Sequence, residues 1–228
     1  LAKKIDGKVN YLFVDEEKKS INKKDILTNI ERVTKGTIKK SIVKNYKPND
    51  ITVDSIENFI QDYFRKNLRG VGGKKILILG TGNIGSKVAI RLLESGGNIF
   101  LFRRDKNKLK KISEVLNIIK PKHTKSKSNT ISSNKLKFED YDVIIGCSDN
   151  KIKLKKIKRL YKKPLIIDVG KGVFTQPDLN QLNKRNVTVF RLDIENSLSS
   201  FIDTSVDTEN FFESSFVNKK RKFRLIKK

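Results

Sequence analysis

The sequence is poor in the residues from which many catalytic and metal sites are built. Its 228 residues include a single cysteine, Cys147, and a single histidine, His123. One cysteine cannot form an internal disulfide, which agrees with a reducing compartment. One histidine and one cysteine assemble neither a zinc cluster nor a histidine-based catalytic triad, so we expect no metal site.

Long apolar runs are also missing. No stretch approaches the roughly 18 uninterrupted apolar residues that a membrane-spanning helix needs, and no signal-like segment opens the chain. Hydrophobic residues still make up 36% of the sequence, which is enough for a core. We therefore expect a soluble, cytoplasmic protein without a membrane partner.

Acidic residues are scarce beside basic ones. The chain has 25 Asp and Glu against 51 Lys and Arg, for a formal net charge of +26. Such a balance suggests a polyanionic partner, but the lysines are spread along the whole chain, a pattern that biased codon usage alone can produce. Segments 120–129 and 219–228 are locally dense in basic residues. A nucleic-acid partner bound by the C-terminal segment is thus an alternative, although not the favoured one.

Residues 1–53 are predicted to form a small N-terminal α/β unit. The patterns indicate a strand, a helix ended by Gly36 and a second strand, over residues 8–15, 23–33 and 37–44. A linker over residues 45–54 follows, in which Pro48 is expected to break regular structure. About 45 residues make a poor independent core, so we expect this unit to pack on a larger body or on its copy in a homodimer.

Residues 54–200 alternate between helices and short apolar strands. An amphipathic helix is predicted with five apolar residues on one side, Ile56, Phe59, Ile60, Tyr63 and Phe64. Strands are predicted over residues 75–79, 98–102, 142–147, 164–170 and 187–194. Helices over 83–97 and 106–116 separate the first strands, and an irregular basic loop follows. Continuous apolar strands between helices predict an α/β fold with a doubly wound, mostly parallel sheet. Residues 201–228 are expected to add a C-terminal helix and a basic tail.

The segment GTGNIG, residues 80–85, lies directly after the first of these strands and opens the next helix. Gly80 permits a tight turn, Gly82 lets the backbone approach a pyrophosphate, and Gly85 allows the helix to pack closely on the strand. The pyrophosphate would lie at the helix N-terminus. The rest of the segment is assigned to the same site, namely Thr81, Asn83 and Ile84. This arrangement predicts a dinucleotide-binding Rossmann domain.

The residues after the second strand favour NADP over NAD. An acid there binds the ribose hydroxyls of NAD, whereas an arginine accommodates the extra phosphate of NADP. This chain has Arg103 and Arg104 at the first two positions, with Lys108 nearby, and a guanidinium offers phosphate a bidentate fork. The two arginines cannot both point inward. We expect Asp105 to cap the following helix.

Three runs carry a resemblance to known families: GGKKILILGTGNIGSKVAIRLLESGGNIFLFRRD, YDVIIGCSDN and KPLIIDVGKGVFTQPDLNQLNKRNVTVFRLDIENSL. Together they resemble the NADP-binding domain of glutamyl-tRNA reductases and shikimate dehydrogenases, and IIDVGKG is similar to the IDVG strand of methylene-tetrahydrofolate dehydrogenases. In the first two families an Asn-Arg-Thr triplet holds the phosphate. Arg104 matches its arginine, whereas Arg103 and Asp105 depart from it. The resemblance covers residues 53–198 and implies an NADP-linked reaction on a small carbonyl or imine.

Cys147, Ser148 and Gly170 follow later strands and are predicted to line the nicotinamide side of the cleft. Glutamyl-tRNA reductases carry a catalytic cysteine in a large N-terminal domain, whereas this chain has no cysteine before Cys147, so we do not expect that activity. A packed core thiol is the favoured interpretation of Cys147.

Shikimate dehydrogenases pair a catalytic lysine with an aspartate. Asp54 lies near the corresponding place, with Lys47 as a candidate partner. The alternative for Asp54, which we favour, is that it caps the following helix.

The sequence as a whole predicts an NAD(P)-dependent oxidoreductase, with NADP favoured, acting on a small-molecule substrate. Two alternatives remain open. One is a non-catalytic dinucleotide-binding subunit or sensor, and the other is a nucleic-acid-associated protein.

Overall fold

We analysed the protein as a computed structural model, which describes residues 2–17, 19–21, 27–133, 136–148, 150–151, 163–169 and 172–217. The chain divides into two compact units. The central unit is Thr52–Ile194. The terminal unit combines the described residues up to Ile51 with those from Glu195 onward. The sequence had suggested boundaries near residues 53 and 200, with residues 201–228 set apart.

The terminal unit contains a parallel strand pair with a helix between the strands. Its elements are α1 (Ala2–Ile5), β1 (Tyr11–Asp15), β2 (Lys19–Ile21), β3 (Leu27–Asn29), α2 (Ile30–Thr37), β4 (Ile42–Tyr46) and a C-terminal helix (Glu195–Val217). β1 pairs with β4 in parallel, and β2 pairs with β3 antiparallel. The C-terminal helix belongs here because Phe201 stacks edge-on against Phe13 and Glu209 forms an ion pair with Lys44.

Two local predictions in this unit are wrong. The helix expected over residues 23–33 begins only at Ile30 and continues past Gly36 to Thr37, and the strand expected over 37–44 lies at Ile42–Tyr46. The apolar spacing predicted the wrong helix bounds because it counted Val33 as part of a buried face, whereas this residue is 54% exposed. Residues 23–26 of the expected helix lie outside the described part of the chain.

Pro48 does not break regular structure but begins a helix, α3 (Pro48–Tyr63). The first helical position needs no backbone N–H donor, so proline is well tolerated there. The amphipathic face predicted for this segment is confirmed at Ile56 and Ile60, which are fully buried, but not at Tyr63, which is 52% exposed.

The central unit is built on a six-stranded parallel sheet. The strands are β5 (Lys75–Leu79), β6 (Asn98–Phe102), β7 (Ser128–Thr130), β8 (Val143–Gly146), β9 (Leu165–Asp168) and β10 (Val189–Arg191). Their spatial order is β7-β6-β5-β8-β9-β10, and every neighbouring pair is parallel. Counted from β5 this order is 3-2-1-4-5-6, the Rossmann order. The predicted doubly wound α/β fold is confirmed.

Both faces of the sheet are covered. Along β5, Ile76 and Ile78 belong to one core cluster and Leu77 and Leu79 to the other, and all four side chains are fully buried. The first cluster is closed by α3, α4 (Asn83–Glu94) and α5 (Lys106–Ile119). The second includes Leu182 of α6 (Gln176–Asn183). Burial on both faces explains why these strands are continuously apolar rather than alternating.

The third strand of the sheet, β7, falls in the stretch predicted as an irregular loop. It lies at the sheet edge and is polar: the Ser128 carbonyl accepts hydrogen bonds from the Ser113 hydroxyl, at 3.0 Å, and the Asn117 amide, at 2.8 Å. An edge strand held to α5 by hydrogen bonds carries no apolar signal in its sequence.

In the described part of the chain, no helix combines the length and apolarity that crossing a membrane requires.

Candidate functional site

The order of the strands in the sheet indicates where a ligand site is expected. From β5 the chain builds β6 and β7 on one side and then returns to β8 on the other, so β5 and β8 flank the point where the strand order reverses. Ligands of such sheets bind outside the carboxyl ends of the strands at this point. A cleft of about 520 Å³ opens there. Its lining residues are Gly80, Thr81, Gly82, Phe102, Arg103, Arg104, Asp105, Cys147, Ser148, Asn150 and Lys151.

The three glycines of the turn do different things. Gly80 has a φ of +102°, which side chains rarely allow, and a Cβ built there would lie 2.8 Å from the Cys147 carbonyl oxygen. A Cβ on Gly85 would lie 2.0 Å from the Gly80 carbonyl oxygen, so the start of α4 and the turn touch directly. A Cβ on Gly82 would meet nothing within 4 Å. The first and third glycines are therefore needed for packing, whereas Gly82 faces open space in the cleft.

The turn ends at the N-terminus of α4. Asn83 and Ile84 are the first two residues of that helix, and its N-cap is Gly82, which has no side chain with which to cap it. The Thr81 side chain is 3% exposed, and its Oγ1 has no hydrogen-bond partner among the described residues. An uncapped helix N-terminus beside a buried hydroxyl without a partner suits an anion, because the helix end carries partial positive charge.

The two arginines after β6 differ in environment. Arg103 is half-buried, and its Nη1 donates a hydrogen bond of 2.8 Å to the Thr81 carbonyl oxygen. Arg104 is exposed at the mouth of the cleft, and no hydrogen bond or ion pair joins its guanidinium to another described residue. One guanidinium thus holds the turn and the other faces solvent, in line with the expectation that the two do not point inward together.

Asp105 caps α5, as predicted. Its carboxylate accepts a hydrogen bond from the Lys108 backbone N–H at 3.0 Å, and that bond is the main reason why the pKa of Asp105 is lowered. Lys108 contributes this backbone group to α5 and is absent from the described lining of the cleft. The acid next to the arginines is therefore used locally, in starting a helix.

The opposite rim follows β8. Burial, with a smaller contribution from the Asp168 carboxylate, raises the pKa of the Cys147 thiol to about 12. Cys147 also packs against the core, so it is a protonated, packed thiol at neutral pH, in agreement with the favoured interpretation. The Ser148 hydroxyl accepts a hydrogen bond from the Asn150 backbone N–H at 3.1 Å, which shapes the loop after the strand.

Neither acid–base candidate, Asp54 or Lys47, is among the described residues that line the cleft. Asp54 is in the interior of α3 and not at its N-terminus, and its carboxylate pairs with Arg91 at 2.9 Å. Arg91 follows the start of α4 by eight residues, about 12 Å along the helix, so Asp54 sits away from the glycine turn. Lys47 lies in the terminal unit, with its Nζ 3.9 Å from Glu16. Gly170 is outside the described residues.

The motifs had not pointed to three residues of the lining, Phe102, Asn150 and Lys151. All three lie at or just beyond the carboxyl end of a strand, β6 or β8. The available signal was positional: in a doubly wound sheet the residues that immediately follow the two central strands converge on one cleft.

Comparison with known proteins finds similarity to oxidoreductases. A family model described as "NADP oxidoreductase coenzyme F420-dependent" matches residues 75–172. The chain is similar to a glutamyl-tRNA reductase from Flavobacterium psychrophilum, with 31% identity over 147 residues, 64% of this chain and 33% of that protein. The chain thus spans about a third of the length of the curated relative that it matches.

Similar solved structures include two enzymes of low sequence identity. The A chain of dipicolinate synthase from Bacillus subtilis is 16% identical, with a TM-score of 0.49 over 90% of this chain and 66% of that one. Shikimate dehydrogenase from Aquifex aeolicus is 22% identical, with a TM-score of 0.41 over 61% of this chain and 49% of that one. The resemblance read from the motifs is confirmed by the family model and the curated relative. The central unit is therefore similar to NAD(P)-binding oxidoreductase domains.

Proposed function

We propose that the protein is an NADP-dependent oxidoreductase that transfers hydride between the nicotinamide and a small carbonyl or imine substrate. One observation carries the proposal: the cleft at the strand-order reversal is bounded by a glycine turn and by two arginines, where an NAD site has an acid. A volume of about 520 Å³ falls within the range of small-molecule sites.

The residues of the turn fit the pyrophosphate of a dinucleotide. The open space at Gly82 allows close backbone approach, and the uncapped start of α4 offers N–H groups and partial positive charge. The buried Thr81 hydroxyl, which lacks a partner among the described residues, gains one if it donates to a phosphate oxygen.

Arg104 is the residue that we assign to the phosphate that distinguishes NADP from NAD. Its guanidinium is exposed at the cleft and engages no other described residue, so binding a phosphate breaks no existing contact. Arginine pairs with phosphate through two parallel N–H donors, which makes the contact strong and directional. Asp105 also lines the cleft and stays ionised at neutral pH because its pKa is lowered, but its carboxylate is directed to the α5 backbone, where it accepts the Lys108 N–H.

When bound, the cofactor supplies the hydride, and the protein supplies binding and orientation. Cys147 would form part of the wall, since its protonated thiol is a poor nucleophile. Asp54 and Lys47 remain the proposed acid–base pair from the resemblance. For Asp54 to act, its ion pair with Arg91 must open.

The state of these candidates also favours a second function, a dinucleotide-binding subunit without turnover. Asp54 is engaged by Arg91, and the Cys147 thiol is held neutral. A screen of NADPH oxidation over a mixture of small carbonyl and imine compounds separates the two functions. Turnover of any compound supports the oxidoreductase, whereas tight NADPH binding without turnover supports the subunit.

The cofactor assignment is tested by titrating NADPH and NADH against the wild type and Arg104→Ala. Hydrogen bonds to charged groups contribute about 1.5–3 kcal/mol, so we expect Arg104→Ala to weaken NADPH binding about 10- to 100-fold and to leave NADH within about twofold. Arg69→Ala, which removes the same charge from an exposed position outside the cleft lining, is the matched control. If NADH binds the wild type as well as NADPH does and Arg104→Ala changes neither, the assignment is wrong.

A further inference from the structure

Two hydrogen bonds connect the end of β6 to the glycine turn. The Gly80 backbone N–H donates to the Phe102 carbonyl oxygen at 2.9 Å, and the next residue along, Arg103, donates from its Nη1 to the Thr81 carbonyl oxygen at 2.8 Å. The first bond extends the pairing of two adjacent parallel strands. The second comes from a side chain and spans 22 residues of sequence, so it depends on the residue type at position 103.

The Thr81 carbonyl is a sensitive point of the turn. Because the peptide group is planar, the direction of this carbonyl also sets the direction of the Gly82 N–H, which belongs to the same unit at the edge of the cleft. Gly82 has no side chain, and nothing lies within 4 Å of a Cβ built on it, so no side-chain contact fixes this peptide; its own carbonyl oxygen accepts the Ser86 N–H at 3.0 Å. Two side chains donate to the Thr81 carbonyl oxygen, the Arg103 guanidinium at 2.8 Å and the Ser86 hydroxyl at 3.4 Å, and the shorter bond is the one from Arg103.

We propose that Arg103 is a positioning residue that holds the glycine turn ready for a dinucleotide, while Arg104 recognises the additional phosphate of NADP. The half-buried guanidinium of Arg103 is committed to the turn, and the exposed guanidinium of Arg104 is available to a ligand. The two adjacent arginines therefore have different roles. Arg103 raises the affinity for any nucleotide with a pyrophosphate by limiting the conformations of the empty turn, and Arg104 determines the preference among them.

This inference rests on the proposed cofactor site, but its first test needs no ligand. Hydrogen exchange of the Gly80 amide reports on the start of the turn, since within the described part of the chain this N–H donates to the Phe102 carbonyl oxygen, next to Arg103. Arg103→Met keeps an unbranched apolar stem and removes the guanidinium with its donors. We expect Gly80 exchange in this variant to be about tenfold faster, and Arg103→Lys, which retains a cationic donor group, to restore slow exchange. Arg104→Met should leave it unchanged. Equal Gly80 exchange in the wild type and Arg103→Met would overturn the proposal.

The second test measures NADPH and NADH dissociation constants for the same variants, after thermal denaturation has shown that each variant is folded. We expect Arg103→Met to weaken both nucleotides by the same factor, about tenfold, and to leave the ratio of the two constants within about threefold of the wild type. Arg104→Met should change the ratio. A selective loss of NADPH binding in Arg103→Met would make Arg103 a phosphate ligand and overturn the proposal. If the wild type binds neither nucleotide, the proposed function fails, and the exchange measurement still decides whether Arg103 holds the turn.

Discussion

Replacing Gly85 with alanine tests the close contact between the glycine turn and α4. A Cβ at this position would lie 2.0 Å from the Gly80 carbonyl oxygen and 3.3 Å from the Cys147 Cβ. Ordinary van der Waals contact begins near 3.4 Å, so the methyl group is about 1.4 Å too close to a backbone oxygen. Backbone atoms cannot swing aside as a flexible side chain can, and α4 must therefore move away from β5.

The size of the effect follows from two opposing contributions. Overpacking a core costs about 1–3 kcal/mol, and a clash with backbone belongs at the upper end of that range. Alanine regains about 1 kcal/mol relative to glycine inside a helix. We expect Gly85→Ala to lower the free energy of unfolding by about 2 kcal/mol, which corresponds to a fall in Tm of about 4–8 °C.

The assay is urea and thermal denaturation followed by far-ultraviolet circular dichroism, since the chain has no tryptophan to report by fluorescence. Gly82→Ala is the matched control: its φ of −80° suits alanine, and nothing lies within 4 Å of the added methyl. We expect its stability to stay within about 0.5 kcal/mol of the wild type. Its affinity for NADPH should nevertheless fall, because the methyl occupies space that a pyrophosphate would need.

The reasoning is refuted if Gly85→Ala unfolds at the same urea concentration as the wild type. It is also refuted if Gly82→Ala loses as much stability as Gly85→Ala, because the distinction between a packing glycine and a ligand-facing glycine would then be false.

Three further predictions concern charged and titrating groups. Asp54→Asn removes a half-exposed ion pair with Arg91, so it should lower stability by less than about 1 kcal/mol, lose that effect at about 1 M salt and leave NADPH affinity unchanged. The Cys147 thiol, with its pKa raised to about 12, should be alkylated by iodoacetamide at about pH 8 far more slowly in the folded protein than in urea. Stability should also fall as the pH rises from about 9 to about 12, because the unfolded chain releases the thiol proton first. Asp105 has a lowered pKa, so its stabilisation is present above its unfolded value of 3.8 and is lost as the pH falls below it; Asp105→Asn should reduce this acid sensitivity.

Each of these three predictions has a contrary result. A loss of stability in Asp54→Asn well above about 1 kcal/mol that persists at about 1 M salt would contradict the weak, half-exposed ion pair. Rapid alkylation of Cys147 in the folded protein would show an accessible thiolate. Identical acid unfolding of the wild type and Asp105→Asn would show that the cap contributes no pH dependence.

Much of the central unit was predictable because its strands are buried on both faces. The apolar runs that became β5, β6, β8 and β9 left no polar face to confuse the pattern, and the glycine turn marked the beginning of α4. β7 was missed for the opposite reason. It is a three-residue edge strand fastened to α5 through Ser128, and hydrogen bonds between distant polar residues have no periodicity in sequence.

The terminal unit was predicted less well because its elements are short and half-buried. Apolar spacing indicated a helix where β3 and α2 meet, and Pro48 was taken as a break although it begins α3. The bonds that fix this unit join residues far apart in the chain. The Asp6 carboxylate, for example, accepts the backbone N–H groups of residues 39–41, at 2.8–3.0 Å.

The sequence by itself determined the glycine turn, the apolar strands around it and the loss of the acid after the second strand, because these features depend on residue type and local order. It could not divide the roles of Arg103 and Arg104, which are chemically identical neighbours. Only the tertiary structure brought the Thr81 carbonyl within 2.8 Å of one guanidinium and left the other in solvent. Tertiary structure also moved Asp54 from a supposed helix cap to an ion pair with Arg91, since that pairing depends on how α3 packs against α4.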